Sequence, residues 1–242
     1  MSLSSTKNRS CIDGVKTGLF SKQEGAEVIL QGTRHVHSSL LGTSDPCWKI
    51  TQELILGKSL SYPWEIGIET KPLVLKQSQK RNECFEAIAS TTHFGYKTQN
   101  RDRLRLILEE LLSNSLYHAY KNKKEEDKYD RLSSVTLAPG EEVRVFFGEN
   151  SGGLHVVVED HGGSLTFDHF SKCFNRCVHQ TKSHIAFDDK HAGAGIGLYL
   201  VFELASHLRI SVQRGKLTRF SLWLANSNQF DPDSFSFNFF EE

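Results

Sequence analysis

Apolar and polar residues alternate along this chain at two different periods. Trp64-Glu-Ile-Gly-Ile-Glu-Thr70 has the period of two that predicts a strand, and Leu73 to Ser90 then suits a helix. A second helix is predicted from about Asp102 to Tyr120, because Leu104, Leu108, Leu111, Leu112 and Ala119 gather on one face when the chain turns about 100° per residue. Val143–Phe147 and Leu154–Glu159 read as two strands joined through Asn150-Ser-Gly-Gly, a hairpin signal. Gly195–His207 reads as a glycine-started helix. Leu208–Gln213 and Thr218–Ala225 form a further hairpin that turns at Arg214-Gly215-Lys216.

The flanks are less regular. Residues 4–25 are polar, Glu27–Leu30 reads as one short strand, and Trp48–Leu56 has the spacing of a short helix. Residues 165–192, rich in His, Lys, Phe and Cys, read as a long insertion or lid with a helix near Phe167–Val178. The last stretch alternates partially through Phe230, Phe235, Phe237, Phe239 and Phe240. It suits either a strand added to a sheet edge or a segment docked on a partner, with intramolecular packing the more ordinary outcome. The division that follows is an N-terminal extension, 1–60, a main domain, 61–225, and a Phe-rich acidic tail, 226–242. The element order predicts an α/β two-layer sandwich, a mixed sheet with helices over one face.

Composition narrows the function classes. A chain of 242 residues with 38% hydrophobic residues can bury one substantial core. Lys+Arg and Asp+Glu number 29 each, and this balance argues against a protein built to bind nucleic acid or an anionic membrane. The longest mostly apolar stretch, Ala192–Ala205, is short, is interrupted by glycine and carries Glu203, so it does not span a bilayer. The N-terminus lacks the apolar core of a signal peptide, and five cysteines without a regular framework suit a reducing compartment. Together these predict a cytoplasmic protein with free thiols.

Three polar features carry candidate chemistry. Glu110, Asn114 and His118 follow one another at i, i+4 and i+8, a polar stripe at the edge of the apolar face. An ordinary solvated flank would look the same. Val157-Val-Glu-Asp160-His-Gly162-Gly163 ends a hydrophobic strand in a carboxylate that can accept a hydrogen bond from an amine such as that of adenine, although Asp-Gly turns are common. Gly193-Ala-Gly195-Ile-Gly197-Leu-Tyr runs three alternate glycines into a helix. Glycine lets backbone approach a phosphate, and a helix N-terminus offers unpaired N–H groups. The run is neither a Walker loop nor a dinucleotide fingerprint.

Taken in order, these motifs resemble the histidine-kinase/gyrase/Hsp90 (GHKL) ATPase family over about residues 62–225. Glu110-Leu-Leu-Ser-Asn114 is similar to its N box, Asp160-His-Gly162 to its first glycine box and Gly193–Leu198 to its second. Within the family the chain looks most like the bacterial anti-sigma-factor serine/threonine kinases. The resemblance implies the Bergerat ATP-binding fold, with Asp160 reading adenine, Gly162 supporting it and Thr218 backing it. It implies that Gly193, Gly195, Gly197 and Leu198 wrap the phosphates of ATP, that Asn114 ligates Mg2+, and that Glu110 is the catalytic base. It implies a partner protein, either a phosphorylated substrate or a sigma-like factor, and a homodimer. Two departures stand out: Leu217 replaces the usual glycine before Thr218, and Gly163 comes one position early.

Rival readings use the same residues. A non-catalytic module that uses ATP only to gate a partner interface needs the nucleotide site without Glu110. A sensor histidine kinase needs a phosphoacceptor histidine on a dimerising hairpin, and Arg34-His-Val-His37 lacks that context, although service as the ATP-binding half of such a system stays open. His169, Cys173, Cys177, His179, His184 and His191 crowd the lid without a recognised zinc spacing, and Lys182 and Lys190 are candidates to reach phosphate.

Overall fold

The computed structural model describes residues 10–12, 15–39, 46–56, 72–180, 196–226 and 235–242. Among the described residues nine strands form one mixed sheet: β1 (Ser10–Ile12), β2 (Val15–Gly18), β3 (His35–Ser38), β4 (Leu73–Leu75), β5 (Val143–Asn150), β6 (Gly153–Asp160), β7 (His207–Gln213), β8 (Leu217–Ala225) and β9 (Phe235–Glu241). Across the sheet their order is β1-β2-β3-β9-β7-β8-β6-β5-β4. β2/β3 and β9/β7 pair in parallel and the other neighbours are antiparallel.

The α-helices among the described residues are α1 (Lys22–Leu30), α2 (Pro46–Ile55), α3 (Arg81–Thr91), α4 (Thr98–Tyr117), α5 (Phe167–Gln180) and α6 (Ile196–Leu204). The core lies between one face of the sheet and α1, α3, α4, α5 and α6, in a single cluster that runs from Phe20 and Ile29 to Phe237 and Phe239. α4 supplies Leu104, Ile107, Leu108, Leu111, Leu112 and Leu116 to it, the i, i+3, i+4 stripe expected of a helix lying on a sheet. Trp48 of α2 meets His37 with ring centroids 6.2 Å apart. His37 lies on the face opposite Val36, so α2 covers the other side of β3.

Three local expectations are corrected. Residues 27–30, expected as a strand, end helix α1, which Ser21 starts through a reciprocal capping box with Glu24. This local cap outweighs the β-branched run Val28-Ile29. The helix expected from Leu73 begins only at Arg81, because Leu73–Leu75 pairs with β5 as the edge strand β4. The expected strand Trp64–Thr70 lies outside the described residues.

Phe167–Gln180 is a helix, but its first half is core rather than lid. Phe170 and Phe174 are fully buried, and Phe170 stacks on Phe237 at 5.3 Å. The C-terminal stretch packs intramolecularly, the more ordinary of the outcomes expected for it, and does so inside the sheet rather than at its edge. Phe235, Phe237 and Phe239 alternate into the core as β9, which lies between β3 and β7. Alternation pointed to a strand, but its interior place is set by pairing with β7 on one side and, 203 residues away at His35–Asn238, with β3 on the other, which no local pattern encodes. Among the described residues no helix is long and apolar enough to cross a membrane.

Candidate nucleotide site

A cavity of about 380 Å³ opens between α4, the end of β6, the start of α5 and the start of α6. Among its lining residues are Glu110, Asn114, Asp160, Gly197, Leu198 and Thr218, so six of the residues singled out in the sequence converge on one space. Gly193 and Gly195, with Lys182, Lys190, His184 and His191, lie outside the described residues.

Asp160 ends β6 at the floor of this cavity and is 3% exposed. Antiparallel pairing sets it directly opposite Thr218 on β8, and Thr218 donates its hydroxyl proton to the carboxylate. Leu217, where the resemblance expects glycine, precedes Thr218 on β8 and pairs with Gln213 of β7. The Gly162 N–H donates to Asp160 Oδ1 at 3.0 Å, and Ser115 Oγ donates to Oδ2 at 3.2 Å. Burial nonetheless dominates and pushes the Asp160 carboxyl up to about 7.

Gly162 is required by close approach. A Cβ there would sit 2.0 Å from the carbonyl oxygen of Ala119, just beyond α4. The early second glycine also has a physical reason. Gly163 has φ 57°, a Cβ on it would meet the Gln213 carbonyl at 2.2 Å, and its own carbonyl accepts from Gly215 N at 3.1 Å. The Asp-His-Gly-Gly turn is thereby fastened to the β7–β8 hairpin. Ser164 Oγ then donates to the His118 carbonyl at 3.1 Å, which ties the start of the following segment to the end of α4.

Glu110 and Asn114 are half-buried on one face of α4, a helical turn apart. The Glu110 carboxylate abuts Gly197 at the start of α6 so closely that a Cβ on Gly197 would lie 1.8 Å from Oε2. Burial raises the Glu110 carboxyl above its ordinary range, opposed by the charge of Arg131 and reinforced by Glu109. Beside the cavity, Asp127 accepts from His118 Nδ1 at 2.7 Å and from Lys121 Nζ at 2.5 Å, and against the upward push of burial these hydrogen bonds from two cavity-lining side chains hold its carboxyl low.

Ser115 was missed in the sequence. Its signal is a hydroxyl inside the apolar stripe, four residues after Leu111 and four before Ala119. Among the described residues no three His, Cys, Asp or Glu side chains form a metal cluster, and Cys173 Sγ lies 3.6 Å from His169 Nε2.

Comparison with known proteins agrees with this geometry. The histidine kinase-like ATPase domain matches residues 77–222, from just after β4 into β8. The serine-protein kinase RsbW of Bacillus subtilis (strain 168) is 28% identical over 143 residues, which is 59% of this chain and 76% of that protein. The matched stretch contains α4, the Asp160 floor and the start of α6, and it exceeds half of the chain. The chain therefore belongs to the histidine kinase-like ATPase domain family.

Proposed function

We propose that the chain is an ATP-dependent serine/threonine protein kinase that acts as a regulatory switch on a small partner protein. The observation that carries this reading is Asp160, a buried acceptor at the floor of a cavity that Glu110 and Asn114 also line. Such a floor fits an adenine ring. Its exocyclic amine donates to Asp160, while Thr218 and Gly162 hold the carboxylate in place.

The phosphates then extend toward the N-terminus of α6, where Gly197 and Leu198 open the helix, with Gly193 and Gly195 preceding them in sequence. The Asn114 amide oxygen fits a magnesium site. Mg2+ takes few protein oxygens and keeps phosphate and water ligands, and when bound it would neutralise charge on the phosphate oxygens.

Glu110 is the base. A carboxylate of raised pKa, one turn from the metal ligand, can accept the proton of an attacking serine or threonine hydroxyl. The hydroxyl oxygen forms the new bond to the terminal phosphorus, the bond from that phosphorus to the bridging oxygen breaks, and ADP leaves. The similarity to the serine-protein kinase supports transfer to a protein hydroxyl.

The test is phosphoryl transfer from radiolabelled Mg-ATP to a candidate serine-bearing partner, by wild type and by Glu110→Gln. Transfer by wild type that is lost in Glu110→Gln, with ATP still bound, supports the kinase. ATP-dependent partner binding without transfer in either protein would replace it with a non-catalytic gate.

A further inference from the structure

Helix α6 begins at the cavity and ends against a buried lysine and a part-buried arginine. Its N-terminal residues Gly197 and Leu198 line the cavity, and Gly197 is in contact with Glu110. At its other end Lys22, the first residue of α1, places Nζ 2.6 Å from the carbonyl oxygen of Phe202 and 2.6 Å from that of Ala205. The same Nζ sits over two aromatic rings, 4.5 Å from the centroid of Phe202 and 4.1 Å from that of Phe235 on β9.

Arg103 of α4 completes the arrangement. Its Nε donates to the Leu204 carbonyl at 2.6 Å, and its NH1 group donates to the Ala225 carbonyl at 2.9 Å. Terminal carbonyls of a helix lack intrahelical partners, and donors placed there satisfy them and complement the helix dipole. Lys22 is 8% exposed, and burial holds its ammonium well below its ordinary range. A lysine in such a place is costly unless its donors are used.

Gly25, one turn along α1, fits only because it has no side chain, since a Cβ would lie 2.9 Å from the Phe235 ring. This contact sets α1, β9 and the C-terminal end of α6 at one fixed spacing. We infer that Lys22, together with Arg103, is a positioning residue that fixes helix α6 along its axis, so that the start of α1 sets the phosphate end of the nucleotide site. The inference rests on the nucleotide reading above and assigns the N-terminal segment a role in it. A helix of 9 residues moves as one piece, and a shift of its C-terminal end is carried to Gly197 beside Glu110.

The test separates the two ends of the ligand. NMR-monitored titrations of the full chain with adenosine and with Mg-ATP compare wild type with Lys22→Met, which keeps the apolar stem and removes the donors. The expected result is about a tenfold loss of ATP affinity with adenosine affinity unchanged, about the cost of one lost hydrogen bond felt only at the phosphates. A folded Lys22→Met that binds both ligands as wild type does, or loses both equally, overturns the inference.

If Lys22→Met does not fold, Arg103→Lys decides from the other side. It keeps the cation and loses the fork between Leu204 and Ala225, with about a threefold loss expected for ATP alone. Equal or absent losses there overturn the inference as well. Wild type that binds neither ligand removes the nucleotide reading itself, an outcome distinct from either variant result.

Discussion

The two ends of the cavity are built in different ways. At the Asp160 end the contacts come mainly from strand register and backbone, joined by one helix side chain, Ser115 of α4. Thr218 stands opposite on β8, Gly162 donates a main-chain N–H, and Gly163 is fastened to the β7–β8 turn. At the Glu110 end, half-buried side chains on α4 face the start of another helix, with the Glu110 carboxylate against Gly197. A floor made of sheet backbone holds its acceptor within a few tenths of an ångström, which suits recognition. A wall made of two helices can change its spacing, which suits a step that occurs only when the ligand is in place.

That contrast breaks most visibly at Glu110. Glu110→Gln is expected to lower the rate of phosphoryl transfer by about 10²–10⁴-fold while ATP affinity changes little, as single-turnover assays beside equilibrium titration would register. A parallel loss of affinity would mean that the two ends are not separable.

Asp160 makes the opposite prediction, because burial there opposes folding. Its folded-state carboxyl stands at about 7, above the ordinary 3.8, so its contribution to stability is fully present below the unfolded value and is lost as pH rises toward 7. Asp160→Asn is therefore expected to stabilise the ligand-free protein by on the order of 1–3 kcal/mol above about pH 7 and by almost nothing below about pH 4. Thermal melts of both proteins across that range check it, and an Asp160→Asn protein that is less stable at every pH would contradict it.

The same titration couples to ligand. An amine donating to Asp160 favours the carboxylate, so ATP affinity is expected to fall about tenfold from about pH 7.5 to about pH 6, with a proton released on binding at the lower pH. Calorimetry in two buffers of different ionisation enthalpy measures that proton. The smallest effect belongs to Ser115→Ala. It removes one of several donors to Asp160 and is expected to weaken ATP by about fivefold with no change in the transfer rate of the saturated protein.

How legible each part was in the sequence follows from how local its cause is. The stripe of α4 and the alternation of β5, β6, β7 and β8 come from burial on one face, which repeats every few residues. Glu110, Asn114 and Asp160 were visible because helix spacing and a strand end place them by short-range rules. Ser115 was not, because its polarity is satisfied by a residue 45 positions away. The interior place of β9 likewise depends on pairing with His35–Ser38 and His207–Val212, at opposite ends of the chain. α1 was misread because a capping box at Ser21 outweighs the strand preference of Val28 and Ile29. Lys22 gave no sign in the sequence, since an isolated lysine after a serine reads as solvated surface, and only the convergence of α1, α6 and β9 buries it.

The central claim, that Asp160 reads the exocyclic amine of adenine, is tested most directly by titrating wild type and Asp160→Asn with Mg-ATP and Mg-GTP. Wild type is expected to prefer ATP by about 10- to 100-fold, the worth of one charge-assisted hydrogen bond, and Asp160→Asn to lose that preference through weaker ATP binding. ATP affinity and selectivity unchanged in Asp160→Asn would contradict the account.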